Sequence, residues 1–407
     1  MQETGKWNRN LVLVATCFAL TFAGGPFFVL GVFFTSFEAD FNASRALISS
    51  LHAVFLVTSA VSGIVMGWLT DKYGAKTPLA VCALLIGLGL VLCSQAQNIG
   101  QLIAFYAIAA AGSGATFVVP TATVLRYSRF KRGLALGITT AGVPVSRLVF
   151  TPVVGLLIPE FGWRTAYMGL AVAAWILISA AAMLIPSAQE KKLHDTEVKS
   201  TVPGAADRGT GVEASAQKSF RSLLTTKTFL FAALLFAFPS VANQMTLVHI
   251  VPFAEDMDIA KTTAAVAAGL IGAFGIAGNI LWPSFAGRIS WSFLVTVTAI
   301  GSSLAMFWLM ASNDLWMLYF FVVVYGFCYS GTVPTRLALM RQVFGTEYMA
   351  SATGVFMGVG CVFGALGPIM AGFIYDNAGN YIVAFLVGAL CWAMMALVAI
   401  PLNRSSP

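Results

Sequence analysis

Apolar residues run along this chain in blocks long enough to cross a bilayer as helices, which takes about 20 residues each. The blocks fall at 10–35, 46–70, 77–95, 99–125, 133–157, 165–186, 229–252, 263–286, 291–311, 315–340, 349–374 and 381–402, and they predict twelve transmembrane helices. The first block follows Lys6 and Arg9, as a signal peptide would, but it is too long and lacks a small-residue cleavage pattern, so it is read as a retained helix. Only one polar interval is long. It begins at Ser187, is rich in Ser, Thr, Gly, Ala and charge, and predicts a cytoplasmic linker over 187–228 between a six-helix bundle at 1–186 and a second at 229–407.

Composition agrees with the blocks. Of 407 residues, 58% are hydrophobic and 10% charged, which excludes an ordinary soluble protein of this length. The net charge of +7 raises the question of nucleic acid. Its placement answers it: with the N-terminus inside, 18 of the 23 Lys and Arg fall in cytoplasmic segments, three (Arg45, Arg164, Lys261) outside, and two (Arg147, Arg336) within blocks. That is the positive-inside bias of a multi-pass membrane protein with both termini cytoplasmic, and no nucleic-acid partner is expected. The six cysteines all lie in apolar blocks without metal-ligand spacing and act as small hydrophobes.

The two halves resemble each other. Val119 to Arg126 reads "VPTATVLR" in the fourth block, and Val333 to Met340 reads "VPTRLALM" in the tenth. Internal repeats of this kind are expected of transporters built around a central site.

Between the second and third blocks stands "GWLTDKYGAKTPL", Gly67 to Leu79. It resembles the signature loop of the major facilitator superfamily, with Gly67, Leu69, Asp71, Lys72, Gly74 and Lys76 matching and Ala75 departing. Gly67 permits close helix approach, and Asp71 can face a helix N-terminus, so Gly67, Asp71, Lys72 and Gly74 are the candidate conformational latch. The counterpart in the second half, "WPSFAGRISW", has no aspartate. "ADFNASRALISSLHAVFLV", "RYSRFKRGLALGITTAG", "FGWRTAYMGL" and "VHIVPFAEDMDI" are similar to the bacterial monocarboxylate porter and oxalate:formate antiporter branch. The resemblance implies an all-α membrane protein with two pseudo-symmetric six-helix bundles, the major facilitator fold. It also implies a small organic anion as cargo, carried by alternating access.

All sixteen acidic residues fall in loops or at block ends, so none remains at membrane depth. A charge near the bilayer centre is costly unless paired or wetted, and Arg147 therefore needs an arriving partner, with an anion well suited. The alternative is a structural Arg147, satisfied by backbone carbonyls or reaching toward Glu160. At helical spacing Gly133, Gly137, Thr140, Pro144, Arg147, Thr151 and Gly155 share one face, small and polar, as a face against protein or cavity should be. Tyr325, Tyr329, Thr332 and Arg336 form a second stripe, where Arg336 alternatively snorkels toward water. Phe28, Asn243, Thr246 and His249 can line the same cavity or simply pack, and His52 reads as structural.

The family comparison also shows a departure. The branch carries a substrate-binding arginine in its eighth span, where this chain has Asn279 or Trp282, and a basic residue in the eleventh span is replaced near Gly360. The substrate-binding candidates are therefore Arg147, Arg336, Tyr329, Phe28, Asn279 and His249. With no buried carboxylate, a proton could be carried only through His249, His52 or the substrate, which favours anion exchange or substrate-gradient transport and leaves a co-transported proton open. A monomer is expected. No cofactor, metal site, nucleophile with a base, or phosphate loop is evident, so an enzyme is not expected. The competing readings are an exporter of amphipathic neutral or cationic compounds and a transport-inactive membrane sensor.

Overall fold

Lipid offers no hydrogen-bond partner to a peptide group, so an apolar run that spans it must close its backbone bonds within a helix. The computed structural model describes residues 28–116, 141–184, 226–285, 288–344 and 349–404, together with Val14, Phe18, Ala19, Gly24, Gly25, Val119, Pro120 and Thr139. Among these residues there are eleven helices: α1 Leu30–Phe41, α2 Arg45–Tyr73, α3 Lys76–Ser94, α4 Ile99–Ser113, α5 Gly142–Leu184, α6 Lys227–Glu255, α7 Lys261–Ser284, α8 Trp291–Met310, α9 Leu315–Phe344, α10 Met349–Ala378 and α11 Ile382–Arg404. Nine are long and apolar enough to cross a membrane.

The expected count of twelve differs from this for two reasons. Half of the first block, the end of the fourth and the start of the fifth lie outside the described residues, as does the linker up to residue 225. Element α5, moreover, covers two expected blocks: its backbone leaves the helix at Gly162 (φ 76°, ψ 159°), a left-handed value that glycine adopts freely, and so it turns between two crossings.

Helix starts follow the local sequence. Ser44, Asn98, Thr226 and Ser290 each stand just before a helix and accept a hydrogen bond from the backbone N–H three residues on, satisfying a donor that the helix itself cannot.

Packing repeats between the halves. In the first half α2 packs on α4, and α3 on both α4 and α5; in the second α7 packs on α9, and α8 on both α9 and α11. The halves then lock crosswise, α5 against α7 and α2 against α10, with α1 on α6. Close approach at these seams depends on glycine. A Cβ on Gly31 would sit 2.7 Å from the Val248 carbonyl oxygen, and one on Gly372 would sit 2.6 Å from the backbone of Arg45 and Ala46. Described contacts between α2 and α10 run from this end, Arg45 against Gly372, to mid-helix, where Leu56 meets Gly364. Further along, Val61, Ile64 and Val65 of α2 and Val355 and Met357 of α10 are exposed. The described contacts of the seam close it at the end that carries the α1–α2 turn, called here the gate end.

Candidate functional site

Arg147 sits in the first crossing of α5, three residues after Pro144, and its side chain is carried inward because the opposite face of that turn holds the exposed Val149. The residue is 5% exposed. Its guanidinium carbon stands 5.1 Å from the centroid of the Phe28 ring, a cation–π contact. Its buried Nη1 has no hydrogen-bond partner among the described residues, and no carboxylate there pairs with it. His52 of α2 and Tyr325 and Tyr329 of α9 lie within electrostatic range of it, and Gln244 of α6 stands beside His52. A buried charged group with an unmet donor costs about 1–3 kcal/mol or more. The cluster gathers hydrogen-bond donors and aromatic faces from both halves.

The described part of the expected stripe on α5 is a seam against α7. Gly272 of α7 passes Arg147 so closely that a Cβ there would meet Arg147 Cβ at 3.4 Å, and Gly269 faces Pro152. Gly133, Gly137 and Thr140 lie outside the described residues. Asn279, half-buried, is two turns from Gly272 and so on the same face of α7. Trp282 is committed elsewhere: its Nε1–H donates to the Phe327 carbonyl at 3.1 Å, and its ring fills the space beside Gly331.

Tyr325 and Tyr329 stack at 5.2 Å, extending a ladder from Phe321, and Tyr329 is its half-buried rung. Arg336, two turns on, does not snorkel. It is 8% exposed, its Nη1 donates to the Leu235 carbonyl at 3.3 Å, its guanidinium lies 4.5 Å over the Phe236 ring, and its Nε is unmet. Asn243 Oδ1 is likewise buried without a partner among the described residues, whereas Thr246 is satisfied by the Ala242 carbonyl and Met306 Sδ.

His249 is brought to a different place. Its Nε2 lies 3.1 Å from Ser49 Oγ and 3.0 Å from the Pro368 carbonyl, and its Nδ1 lies 2.9 Å from the Tyr381 hydroxyl, so both ring nitrogens are engaged and Nε2 reaches across to the first half through Ser49. Above it lies a gate that the sequence did not point to. Arg45 binds Asp256 through two hydrogen bonds of 2.6 and 2.8 Å, Glu38 at 3.1 Å and the Tyr381 hydroxyl at 2.9 Å, with its guanidinium 3.7 Å over the Tyr375 ring. Asp376 accepts from the backbone N–H groups of Arg45 and Ala46, both at 2.9 Å, placing a carboxylate of the second half on the N-terminus of α2. Lys261 adds a bond to Ser36 at 3.0 Å. In the sequence these are loop charges like any others; only "AEDMD" after the seventh block and "YDNAGNY" after the eleventh hint at acid gathered at one end.

At the candidate latch, Gly74 ends α2 with φ 83° and returns its N–H to the Thr70 carbonyl at 3.0 Å, which explains a glycine at that place. Lys72 is exposed and lies 4.8 Å over Trp68. Gly67 is half-buried, and the Asp71 side chain lies outside what is described. No group of three His, Cys, Asp or Glu able to hold a metal occurs among the described residues.

A helical membrane protein whose halves lock at one end, with a cation buried where they meet, is built as a carrier. The chain belongs to the Major Facilitator Superfamily, whose sequence profile matches residues 16–368, and it is a secondary transporter, not an enzyme. It is 25% identical over 389 residues to "Monocarboxylate transporter 13" of Rattus norvegicus, covering 94% of this chain and 86% of that one. It is 24% identical over 405 residues to the "Cis,cis-muconate transport protein" of Acinetobacter baylyi, covering 97% and 95%. The fold matches the crystal structure of a D-xylose–proton symporter with a TM-score of 0.78 at 13% identity, covering 98% of both chains. A bacterial homologue of the human lysosomal transporter Spinster matches with a TM-score of 0.76 at 14% identity, covering 98% of this chain and 97% of that one.

Proposed function

We propose that the protein moves a small organic anion, a mono- or dicarboxylate, across a bacterial inner membrane by alternating access between two six-helix bundles at 1–186 and 229–407. In this reading the chain crosses the membrane twelve times as a monomer, both termini and the linker are cytoplasmic, and the gate end faces outward, an orientation that the distribution of Lys and Arg supports. The observation that carries the proposal is Arg147: buried between the halves, backed by Phe28 and with an unmet donor among the described residues. A carboxylate bound there would accept the free N–H and neutralise the charge, and both its oxygens could be met by Tyr329 and the guanidinium. The names of the rat and Acinetobacter relatives, a monocarboxylate and a muconate transporter, support the same cargo class. Arg336 and Asn279 extend the lining toward the linker end. His249 belongs to the gate in this reading, and cargo need not touch it.

The test is uptake into proteoliposomes with a panel of mono- and dicarboxylates, amines and sugars. Arg147→Gln is expected to abolish saturable carboxylate uptake while Arg147→Lys retains part of it. Uptake by Arg147→Gln equal to that of the unaltered protein would remove the anchor. Saturable uptake confined to amines would replace the anion by the alternative cargo of an exporter.

A further inference from the structure

The bonds around His249 fix its tautomer. The Pro368 carbonyl can only accept, so Nε2 carries the hydrogen. Ser49 Oγ already donates its own hydrogen to the Arg45 carbonyl at 2.6 Å, and so it too accepts from Nε2. Nδ1 is left with its lone pair, and the Tyr381 hydroxyl donates to it at 2.9 Å. The same hydroxyl oxygen accepts from Arg45 Nη1. A directed chain therefore runs Arg45 → Tyr381 → His249 → Pro368, from the ion-paired gate through two helices of the second half, and it works only with a neutral imidazole.

A proton on Nδ1 reverses one link. The Tyr381 oxygen would then face two N–H donors, and its own hydrogen would lose its acceptor. The imidazolium would also stand near two other basic groups of α2, Arg45 and His52, within a ring that is 0% exposed. The remaining surroundings do not compensate. From α1 the neighbour is the Phe34 ring at 5.1 Å, with Glu38 bound to Arg45. From α10 come the Pro368 carbonyl, Tyr375 and Asp376, the last occupied by the N-terminus of α2. Tyr381 leads into α11; α9 brings Tyr325, near Thr246; at the end of α6 Asp256 is held by Arg45, and Glu255 faces Lys261 of α7. Separating the halves at the gate would take Ser49 from Nε2 and Arg45 from the Tyr381 hydroxyl, which leaves that oxygen able to accept from Nδ1–H and opens the ring to water, where an imidazole takes a proton at an ordinary value of about 6.5.

We propose that His249 is a proton-binding site that controls the gate: the neutral ring holds it shut, and protonation accompanies its opening. The proposal goes beyond the cargo assigned above and does not depend on it. A proton taken up at His249 when the gate opens must leave before the gate closes again. Acid on the gate side would therefore favour the open form whether or not cargo is present.

The test needs no substrate. Exposed Asn42 and Asn377, at the gate end of the first and second halves, are changed to cysteine in a background with the native cysteines replaced, spin-labelled, and their distance measured in lipid nanodiscs by pulsed electron resonance. Between about pH 8 and about pH 5 the long-distance population of the otherwise unaltered protein is expected to rise by about fivefold or more. His249→Gln, which can still donate to the Pro368 carbonyl but cannot titrate, is expected to show no such rise, whereas His52→Gln keeps it. Tyr381→Phe, which cuts the chain, is expected to populate the long distance already at about pH 8. An acid response in His249→Gln equal to that of the parent, or a parent distance indifferent to pH, would overturn the proposal. So would a Tyr381→Phe protein that stays shut at high pH and opens in acid like its parent.

Discussion

Arg45 and Asp256, 211 positions apart and on opposite halves of the chain, meet through two parallel hydrogen bonds, Nη1 to Oδ2 at 2.6 Å and Nη2 to Oδ1 at 2.8 Å. Such fork-to-fork geometry is the strong form of an ion pair, and here the arginine is 5% exposed. Removing one partner of a partly buried pair costs about 2–5 kcal/mol, because the other charge is left behind. Asp256→Asn is therefore expected to shift the gate toward its open form by about tenfold or more. Thiol labelling of a cysteine at position 42 reads the shift, and Arg45→Gln combined with Asp256→Asn should open the gate less than the sum of the two single changes.

Phe28 supports the Arg147 guanidinium at 5.1 Å. A desolvated cation–π contact is worth about 0.5–2 kcal/mol, so Phe28→Ala should raise the apparent KM for carboxylate uptake by roughly twofold to thirtyfold, with Phe28→Tyr near the unaltered value. Tyr329→Phe, which keeps the ring stack with Tyr325 and removes the hydroxyl, tests the other side of the cluster. If the hydroxyl meets the cargo, uptake weakens while thermal stability is unchanged.

The seam of α5 and α7 depends on Gly272, which faces the Pro144 carbonyl, Leu148 N and Arg147 Cβ. A leucine there cannot fit the closed seam, since backbone lies in the way. Gly272→Leu is expected to hold the gate open and to abolish net transport while the protein still inserts in the membrane, as reported by labelling at position 42 and by uptake. Normal uptake would show that the halves never close this tightly during the cycle.

Asp40 ties the α1 end to the start of the second crossing of α5, accepting from Trp163 Nε1 at 2.8 Å and from Arg164. The Trp163 hydrogen bond, aided by the Arg164 charge, holds its carboxyl below the ordinary value of 3.8. A depressed folded value means that the interaction stabilises the fold at pH above the unfolded value and is lost as pH falls through the folded one. The carboxylate is largely solvated, so the effect is about 1 kcal/mol or less. Asp40→Asn should lower the Tm slightly at neutral pH, and the difference should vanish in strong acid.

The site was partly legible in the sequence. Arg147 stood out because a lone guanidinium in an apolar block, far from any carboxylate, is a cost that the sequence itself displays. Tyr329 and Arg336 shared a helical face by spacing alone, but the sequence left open whether Arg336 reached water, and its cover of Phe236 and Leu235 depends on how α6 packs. His249 could be recognised as a polar residue at depth, not as part of a gate. Its partners Ser49 and Pro368 come from two other helices and Tyr381 from the turn before a third, and no periodicity along one helix reveals them.

Block length, charge placement and the Gly67 to Lys76 loop determined by themselves that this is a multi-pass helical carrier, because desolvation of the peptide group and the cost of moving charge across lipid act on each segment separately. Which of the loop charges are spent on one another was decided only by the tertiary structure. Glu38, Arg45, Asp256 and Asp376 have the same solvated look in the chain, and they differ once α1, α2, α6 and α10 converge, since electrostatic pairing depends on distances of a few ångströms between residues that the sequence holds hundreds of positions apart.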